Sequence, residues 1–217
     1  MPNSNTLAAE NLNCVRGERV LFEGLSFSLS GGTALHVRGV NGSGKTSLLR
    51  LLCGINHADE GTIYWNEVNI RSNYEFLKRS AYISHKDGLK NELSCIENLR
   101  AYQKLIGDKL GGKNQERSNE QVLDDCLDQL QILDCADLIT HQLSFGQRRR
   151  LTFARLLLTS FDLWVLDEPF TGIDKEGRAL IETICETHLT AGGLIILAHH
   201  QSLENSAFAN KLNTLDL

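Results

Sequence analysis

The 217-residue chain contains no run of eighteen apolar residues, roughly the length an apolar helix needs to cross a bilayer. Any link to a membrane is therefore expected to come through a partner. The opening residues, Met1 to Glu10, are polar and lack the apolar core of a signal peptide. No basic tail or stripe is present: 22 lysines and arginines stand against 27 acidic residues, a net charge of −5. That balance argues against nucleic acid as the main partner. Six cysteines (Cys14, Cys53, Cys95, Cys126, Cys135, Cys185) form no C-x-x-C pair and no metal-ligand spacing. They read as small, reduced core residues of a cytosolic protein. Internal repeats and low-complexity tracts are also missing.

What is present is an alternation of helical and strand-like patterns, which predicts an α/β fold. The length suits one domain, or one with a small subdomain, and allows a full core. Alternating segments at 8–15, 20–29 and 62–69 predict strands early in the chain, with a tight turn at Gly31-Gly32. Further strands are expected at 33–38, 81–84, 163–166 and 194–198, and helices at 46–52 and 175–189. Ser94 is placed to cap a helix through Ile106, with Ile96, Leu99, Tyr102 and Leu105 inward and Asn98 and Arg100 outward. The polar stretch 111–119 predicts a surface loop. After it, Val122, Leu123, Cys126, Leu127, Leu130 and Ile132 fall at helical spacing.

The most informative stretch is Gly39-Val40-Asn41-Gly42-Ser43-Gly44-Lys45-Thr46, which fits the phosphate-binding pattern G-x-x-x-x-G-K-[ST] between a predicted strand and a predicted helix. A chance match is expected in roughly 1% of chains this long, so we read a nucleoside triphosphate site. Gly39, Gly42 and Gly44 let backbone N–H groups curl around an anion. The helix start, running on into Ser47, adds its own donors and the positive end of its dipole. Lys45 supplies a point charge for the outer phosphates, and the Thr46 hydroxyl a ligand for Mg²⁺.

A second stretch, Leu163-Trp164-Val165-Leu166-Asp167-Glu168-Pro169, puts two carboxylates at the carboxyl end of a buried strand, where open parallel sheets bind ligands. Asp167 suits Mg²⁺ coordination, directly or through water. Glu168 suits polarisation of a water aimed at the γ-phosphate, a role worth about 10²–10⁴ in rate.

A third stretch, Leu143-Ser144-Phe145-Gly146-Gln147, stands before the apolar run 151–158. With Asp167-Glu168-Pro169 and Phe170-Thr171-Gly172-Ile173-Asp174, it resembles the ATP-binding-cassette (ABC) ATPases. The likeness covers essentially the whole chain in the family's order. It implies a single ATP-binding cassette over 1–217: a P-loop domain with a mainly parallel core sheet, an antiparallel β-subdomain and a helical signature subdomain at about 87–158. It also implies Mg·ATP as ligand and an ATP-dependent pairing with a second cassette. In that pairing Ser144, Phe145, Gly146 and Gln147 face the γ-phosphate held by the other copy, and Asp174 belongs to the D-loop. The family's spacing selects His200 as the switch histidine. His199 is expected to be packed or solvated, since neighbours on extended backbone point to opposite sides. His36, His57, His85, His141 and His188 are assigned structural or surface roles.

Three positions depart from the family pattern. Phe145 replaces a glycine of the signature; at positive φ it would cost about 1–2 kcal/mol, so either the position is not left-handed or the loop is remodelled. Arg16 stands where an aromatic ring usually stacks on adenine, and a planar guanidinium can stack as well. Lys86 takes the place of the Q-loop glutamine and has no acceptor for Mg²⁺. Within the family the chain resembles the ATP-binding subunit of the bacterial heme exporter of cytochrome c maturation, through 14–22, 83–90, Glu97-Asn98-Leu99 and the 170–174 loop. That likeness implies an ATPase held peripherally on the cytoplasmic side of the inner membrane by integral membrane subunits, with the work directed to heme delivery or release of a heme-loaded chaperone. No heme site is expected in the chain itself, which has no Cys-Pro pair. Other readings are an exporter ATPase for another cargo, and a soluble ATPase acting on DNA or ribosomes.

Overall fold

The computed structural model describes residues 5–106 and 119–217. In chain order the strands are β1 (Thr6–Arg16), β2 (Arg19–Ser30), β3 (Ala34–Arg38), β4 (Glu60–Trp65), β5 (Val68–Asn69), β6 (Ser80–Ile83), β7 (Leu163–Asp167), β8 (Leu194–Ala198) and β9 (Leu212–Asp216). The α-helices are α1 (Lys45–Leu52), α2 (Tyr74–Arg79), α3 (Cys95–Ile106), α4 (Asn119–Gln129), α5 (Phe145–Leu157) and α6 (Lys175–Thr190). The chain divides into two compact units. One comprises Met1–His85, Phe161–Pro169 and Glu182–Leu217; the other comprises Lys86–Ser160 and Phe170–Ile181.

The first unit is built on two sheets. A parallel sheet in the order β6-β7-β8-β3-β9 carries its most apolar strands in the middle. Every residue of β7 and β8 is buried, as expected of strands covered on both faces. Helix α1 packs on β7 and β8 through Leu48, Leu49, Leu51 and Leu52, all essentially inaccessible. The register pairs Leu166 with Ile83 on one side and with Leu197 on the other. The carboxyl ends of β6, β7 and β8 therefore lie level.

The second sheet is antiparallel, β2-β1-β4-β5. Its inward residues, among them Leu7, Leu12, Phe22, Ile63 and Trp65, share the core of α1. The strand expected at 62–69 is a hairpin instead. Asn66 and Glu67 take φ of 50° and 67° and turn the chain between β4 and β5, the conformation a two-residue type I′ loop requires. The short helix α2 has no counterpart among the elements expected from the sequence. Asn73 starts it by accepting a hydrogen bond from the Phe76 N–H at 3.1 Å.

In the second unit, Ser94 caps α3 as expected, with Glu97 completing the box: Glu97 N–H to Ser94 Oγ at 3.3 Å and Ser94 N–H to Glu97 Oε2 at 2.8 Å. Two side chains of α3 contradict the expected facing. Asn98 is buried, because loop 90–94 and Thr140 close over it. Its amide nitrogen donates to the Lys90 carbonyl (3.0 Å) and Thr140 Oγ1 (2.9 Å), and its oxygen accepts from Lys90 N–H (2.9 Å). Leu105 is exposed, since it stands to the side of the inward stripe Cys95, Leu99, Tyr102, Ile106. The apolar stripe of α4 is buried at Leu123, Cys126 and Leu127, but the helix stops at Gln129. Gln131 turns left-handed (φ 55°), and Leu130 and Ile132 are buried from the turn. Most of the loop expected at 111–119 lies outside the described residues; Asn119 opens α4.

Candidate active site

The phosphate-pattern loop connects β3 to α1, and its glycines take conformations other residues avoid. Gly42 and Gly44 have φ of 83° and 110°. Gly44 is the N-cap of α1 and offers no side chain to the helix start, so the donors of the first turn are not closed by a cap. Lys45 is folded back, its Nζ donating to the carbonyls of Gly39 (2.8 Å) and Val40 (3.1 Å). An open cavity of about 570 Å³ lies over this loop. It is lined by Asn41, Gly42, Gly44, Lys45, Thr46 and Ser47 from the loop and α1, by Arg16 and Leu21 from β1 and β2, and by His85, Asp167 and Glu168. The volume falls in the ordinary range for nucleotide-sized ligands, about 300–1,000 Å³.

Asp167 is the last residue of β7 and is buried. Its Oδ2 accepts from Thr46 Oγ1 at 2.9 Å and from the Tyr82 hydroxyl at 3.3 Å. Burial pushes the Tyr82 phenol up to about 12, so it stays a neutral donor. Two hard oxygen donors, the Thr46 hydroxyl and the Asp167 carboxylate, thus meet beside the loop. That donor set fits Mg²⁺, which takes one or two protein oxygens and completes its shell with phosphate and water. Sequence reasoning misses Tyr82. Its signal is positional: it lies on the strand beside β7, paired with Val165.

Glu168 follows in the left-handed region, φ 51°, which costs a non-glycine residue about 1–3 kcal/mol. Its N–H donates to the Ala198 carbonyl at 2.9 Å, which ties it to the end of β8. Both histidines after β8 reach its side chain. His199 Nδ1 lies 2.7 Å and His200 Nδ1 3.1 Å from the same Oε2. The expected split of the pair to opposite sides does not extend to these two ring nitrogens, because β8 ends at Ala198 and the chain bends there. Burial follows the expectation: His199 is 2% exposed and His200 is open to solvent. Burial alone would raise the Glu168 carboxyl, but the hydrogen bonds from His199 and His200 outweigh it and hold the group at about 2. Glu168 is therefore an anion at any physiological pH.

Residues 22–171 match the model of a family described as ABC transporter. The chain belongs to the ABC transporter family. It is 40% identical, over 91% of its length and 93% of the relative's, to the cytochrome c biogenesis ATP-binding export protein CcmA of Aliivibrio fischeri. It is 44% identical to the protein of that description from Nitrosomonas europaea, over 91% of this chain and 89% of that one. Among solved structures, a putative ABC transporter ATP-binding protein from Pyrococcus furiosus superposes with a TM-score of 0.79 at 22% identity, covering 97% of each chain. An ATP-binding cassette solved as a dimer in a post-hydrolysis state with ADP and Pi superposes with a TM-score of 0.80 at 18% identity, covering 97% of this chain and 96% of that one. The fold is that of the P-loop ABC cassette.

The cassette's remaining predicted residues divide between the units. Arg16 borders the cavity, its guanidinium 3.7 Å from Asp59 and hydrogen-bonded to its neighbour's carbonyl, Val15, at 2.7 Å. At the end of β6 the residue that lines the cavity is His85, assigned from sequence a structural or surface role. The signal for it is the level strand ends, which carry residues just past β6 to the height of Asp167 and Glu168. Lys86 is exposed and opens the second unit.

In that second unit Ser144 caps α5 and forms a full box with Gln147, which accepts from the Ser144 N–H at 2.9 Å and donates its own N–H to Ser144 Oγ at 3.2 Å. Phe145 is the first helical residue and does not take positive φ, so the backbone penalty of a left-handed phenylalanine is absent. Its exposed ring lies against Gly172, where a Cβ would collide with it. Asp174 caps α6, accepting from the Gly177 N–H at 2.8 Å. Among the described residues no helix is long and apolar enough to cross a membrane.

Proposed function

We propose that this cassette is the ATP-hydrolysing subunit of the exporter that serves cytochrome c biogenesis, working with integral membrane subunits in heme delivery or release of a heme-loaded chaperone. The observation behind ATP hydrolysis is the convergence, in one cavity, of Asn41, Gly42, Gly44, Lys45 and Thr46 with Asp167 and Glu168 at the end of β7; the exporter assignment follows the relatives named for cytochrome c biogenesis. The loop N–H groups and Lys45 bind and align the phosphates. Lys45 leaves the carbonyls of Gly39 and Val40 and gains a charge-assisted bond in exchange. Thr46 and Asp167 hold Mg²⁺, which neutralises charge on the outer phosphates. Glu168, ionised and tied to Ala198, accepts a hydrogen bond from the attacking water and orients it toward the γ-phosphate. His200, the exposed partner of Glu168, is free to follow the phosphate.

A second cassette completes the site. Ser144, Gly146 and Gln147 of one copy meet the γ-phosphate held by the other, and Asp174 belongs to the loop that faces the paired copy. Such a pair forms with ATP and comes apart after hydrolysis. The chain is peripheral, held on the cytoplasmic side of the inner membrane by its partners. The test is Glu168→Gln in the assembled complex. ATP binding should persist, turnover should fall by about 10²–10⁴, and sedimentation with Mg·ATP should show a trapped pair. Parent turnover in this variant overturns the reading.

A further inference from the structure

The proposed mechanism uses one histidine beside Glu168, His200, which the family pattern selects. The chain carries a second, buried one. His199 Nδ1 stands 2.7 Å from Glu168 Oε2, closer than His200, and the ring is 2% exposed. Its main chain is anchored from behind: the carbonyl of His199 accepts from Nε2 of His36 at 2.9 Å, and His36 on β3 is also 2% exposed. Burial lowers the pKa of His36, which keeps its ring neutral and leaves one N–H for that carbonyl. Two buried imidazoles from neighbouring parallel strands, β3 and the end of β8, thus lead to the one carboxylate proposed to orient water.

The two histidine partners of Glu168 differ in what can displace them. His200 is exposed, so water competes for its hydrogen bond, and it is the partner a γ-phosphate can draw away. His199 is sealed, and a charge-assisted bond in a buried setting is both stronger and more fixed in direction. The backbone of Glu168 sits in a conformation that persists only where its surroundings over-determine it. The Ala198 carbonyl holds its N–H and His199 holds its carboxylate, so one short segment fixes both ends of the residue.

We propose that His199, seated on His36, is a positioning residue that holds Glu168 in its water-orienting geometry while His200 moves to the nucleotide. The inference rests on Glu168 being the carboxylate that orients the water. A structural histidine would fill the same space; a positioning one also needs its N–H. The test therefore separates volume from hydrogen bonding. His199→Leu and His199→Met keep an apolar body in the pocket, and His199→Asn places an amide N–H near the position of Nδ1. Turnover, equilibrium ATP binding and thermal melting are measured for the full chain in its membrane complex, with Glu168→Gln alongside.

The expected result is an approximately hundredfold fall in kcat for the Leu and Met variants, the scale of loss for an ångström-sized misplacement of a reacting group. ATP affinity should be unchanged, and His199→Asn should return kcat to within several-fold of the parent. Parent-like kcat in a folded Leu or Met variant overturns the proposal, as does an Asn variant that melts like the parent yet turns over no faster than Leu. Should Leu and Met both fail to fold, folded His199→Asn with near-parent kcat supports the proposal and a hundredfold loss overturns it. A Glu168→Gln variant that still hydrolyses ATP at the parent rate instead sinks the reading beneath it.

Discussion

Two helix starts in this molecule, each proposed to meet a phosphate, are built in opposite ways. Helix α1 begins at Gly44, with left-handed backbone and no side-chain cap, so its first turn is left for a ligand to complete. Helix α5 begins at Ser144, whose side chain and that of Gln147 close a capping box on the helix's own N–H groups. The open start comes with Lys45, Thr46 and Asp167 in one unit. Around the closed start the cap partners come from the helix itself, and Gln147 Nε2 also rests 3.2 Å from Cys135 Sγ. Under the proposed function the first start holds phosphate by itself and is left uncapped for it, at some cost to stability. If the second start meets phosphate only on assembly, as proposed, its capping box makes it self-sufficient until then.

That contrast is open to attack. Lys45→Ala should break the open site, weakening ATP binding by about 2 kcal/mol, roughly thirtyfold, in the isolated chain. Equilibrium titration with ATP measures it, and unchanged affinity would remove Lys45 from the cradle. Ser144→Ala should act differently. It should cost about 1 kcal/mol of stability through the lost cap, a fall of about 2–4 °C in Tm. ATP affinity of the isolated chain should stay as it was, and turnover of the complex should drop. A loss of ATP affinity in isolated Ser144→Ala would erase the distinction between the two starts.

Smaller effects sharpen the picture. We propose that Lys86 swings toward the γ-phosphate on closure and replaces a Q-loop glutamine's contact by charge. Lys86→Ala should then lower coupled turnover several-fold, and Lys86→Gln should keep most of it. Mg²⁺ and ATP dependence of both variants decide the matter; unchanged kinetics in the alanine variant make this lysine a bystander. Acid titration probes the carboxylate itself. The Glu168 carboxyl is held at about 2 against an ordinary 4.5, so its contribution to stability is complete above pH 4.5 and is lost as pH falls toward 2. The stability difference between parent and Glu168→Gln should shift against the parent as pH falls from about 4.5 toward 2, as followed by denaturant titration at each pH.

Features set by neighbours in the chain are legible in the sequence. The Gly39–Thr46 cradle needs only glycines where φ is positive and a helix start behind it. The core strands β7 and β8 announce themselves because a continuous apolar run has nowhere to go but inside. The caps at Ser94 and Ser144 follow from a hydroxyl residue with Glu97 or Gln147 three places on. Each of these is a local choice of the backbone, written in consecutive residues.

Contacts between distant segments are not legible in that way. Asn98 is solvent-facing by helix periodicity, yet it is buried because Lys90 and Thr140 fold over it. The 62–69 strand breaks where Asn66 and Glu67 turn left-handed, a pair with no glycine to signal it. Tyr82 and His85 join the site only because the parallel register lifts the end of β6 to the height of Asp167. The partnership of His199 and Glu168 spans 31 residues, and that of His36 and His199 spans 163. Consecutive residues alone were enough to tell that this chain folds as an α/β P-loop cassette and which loop carries the phosphate-binding pattern. Only the tertiary structure decided which side chains hold the carboxylate beside it, because strand register and burial are properties of the packed sheet and not of any one segment.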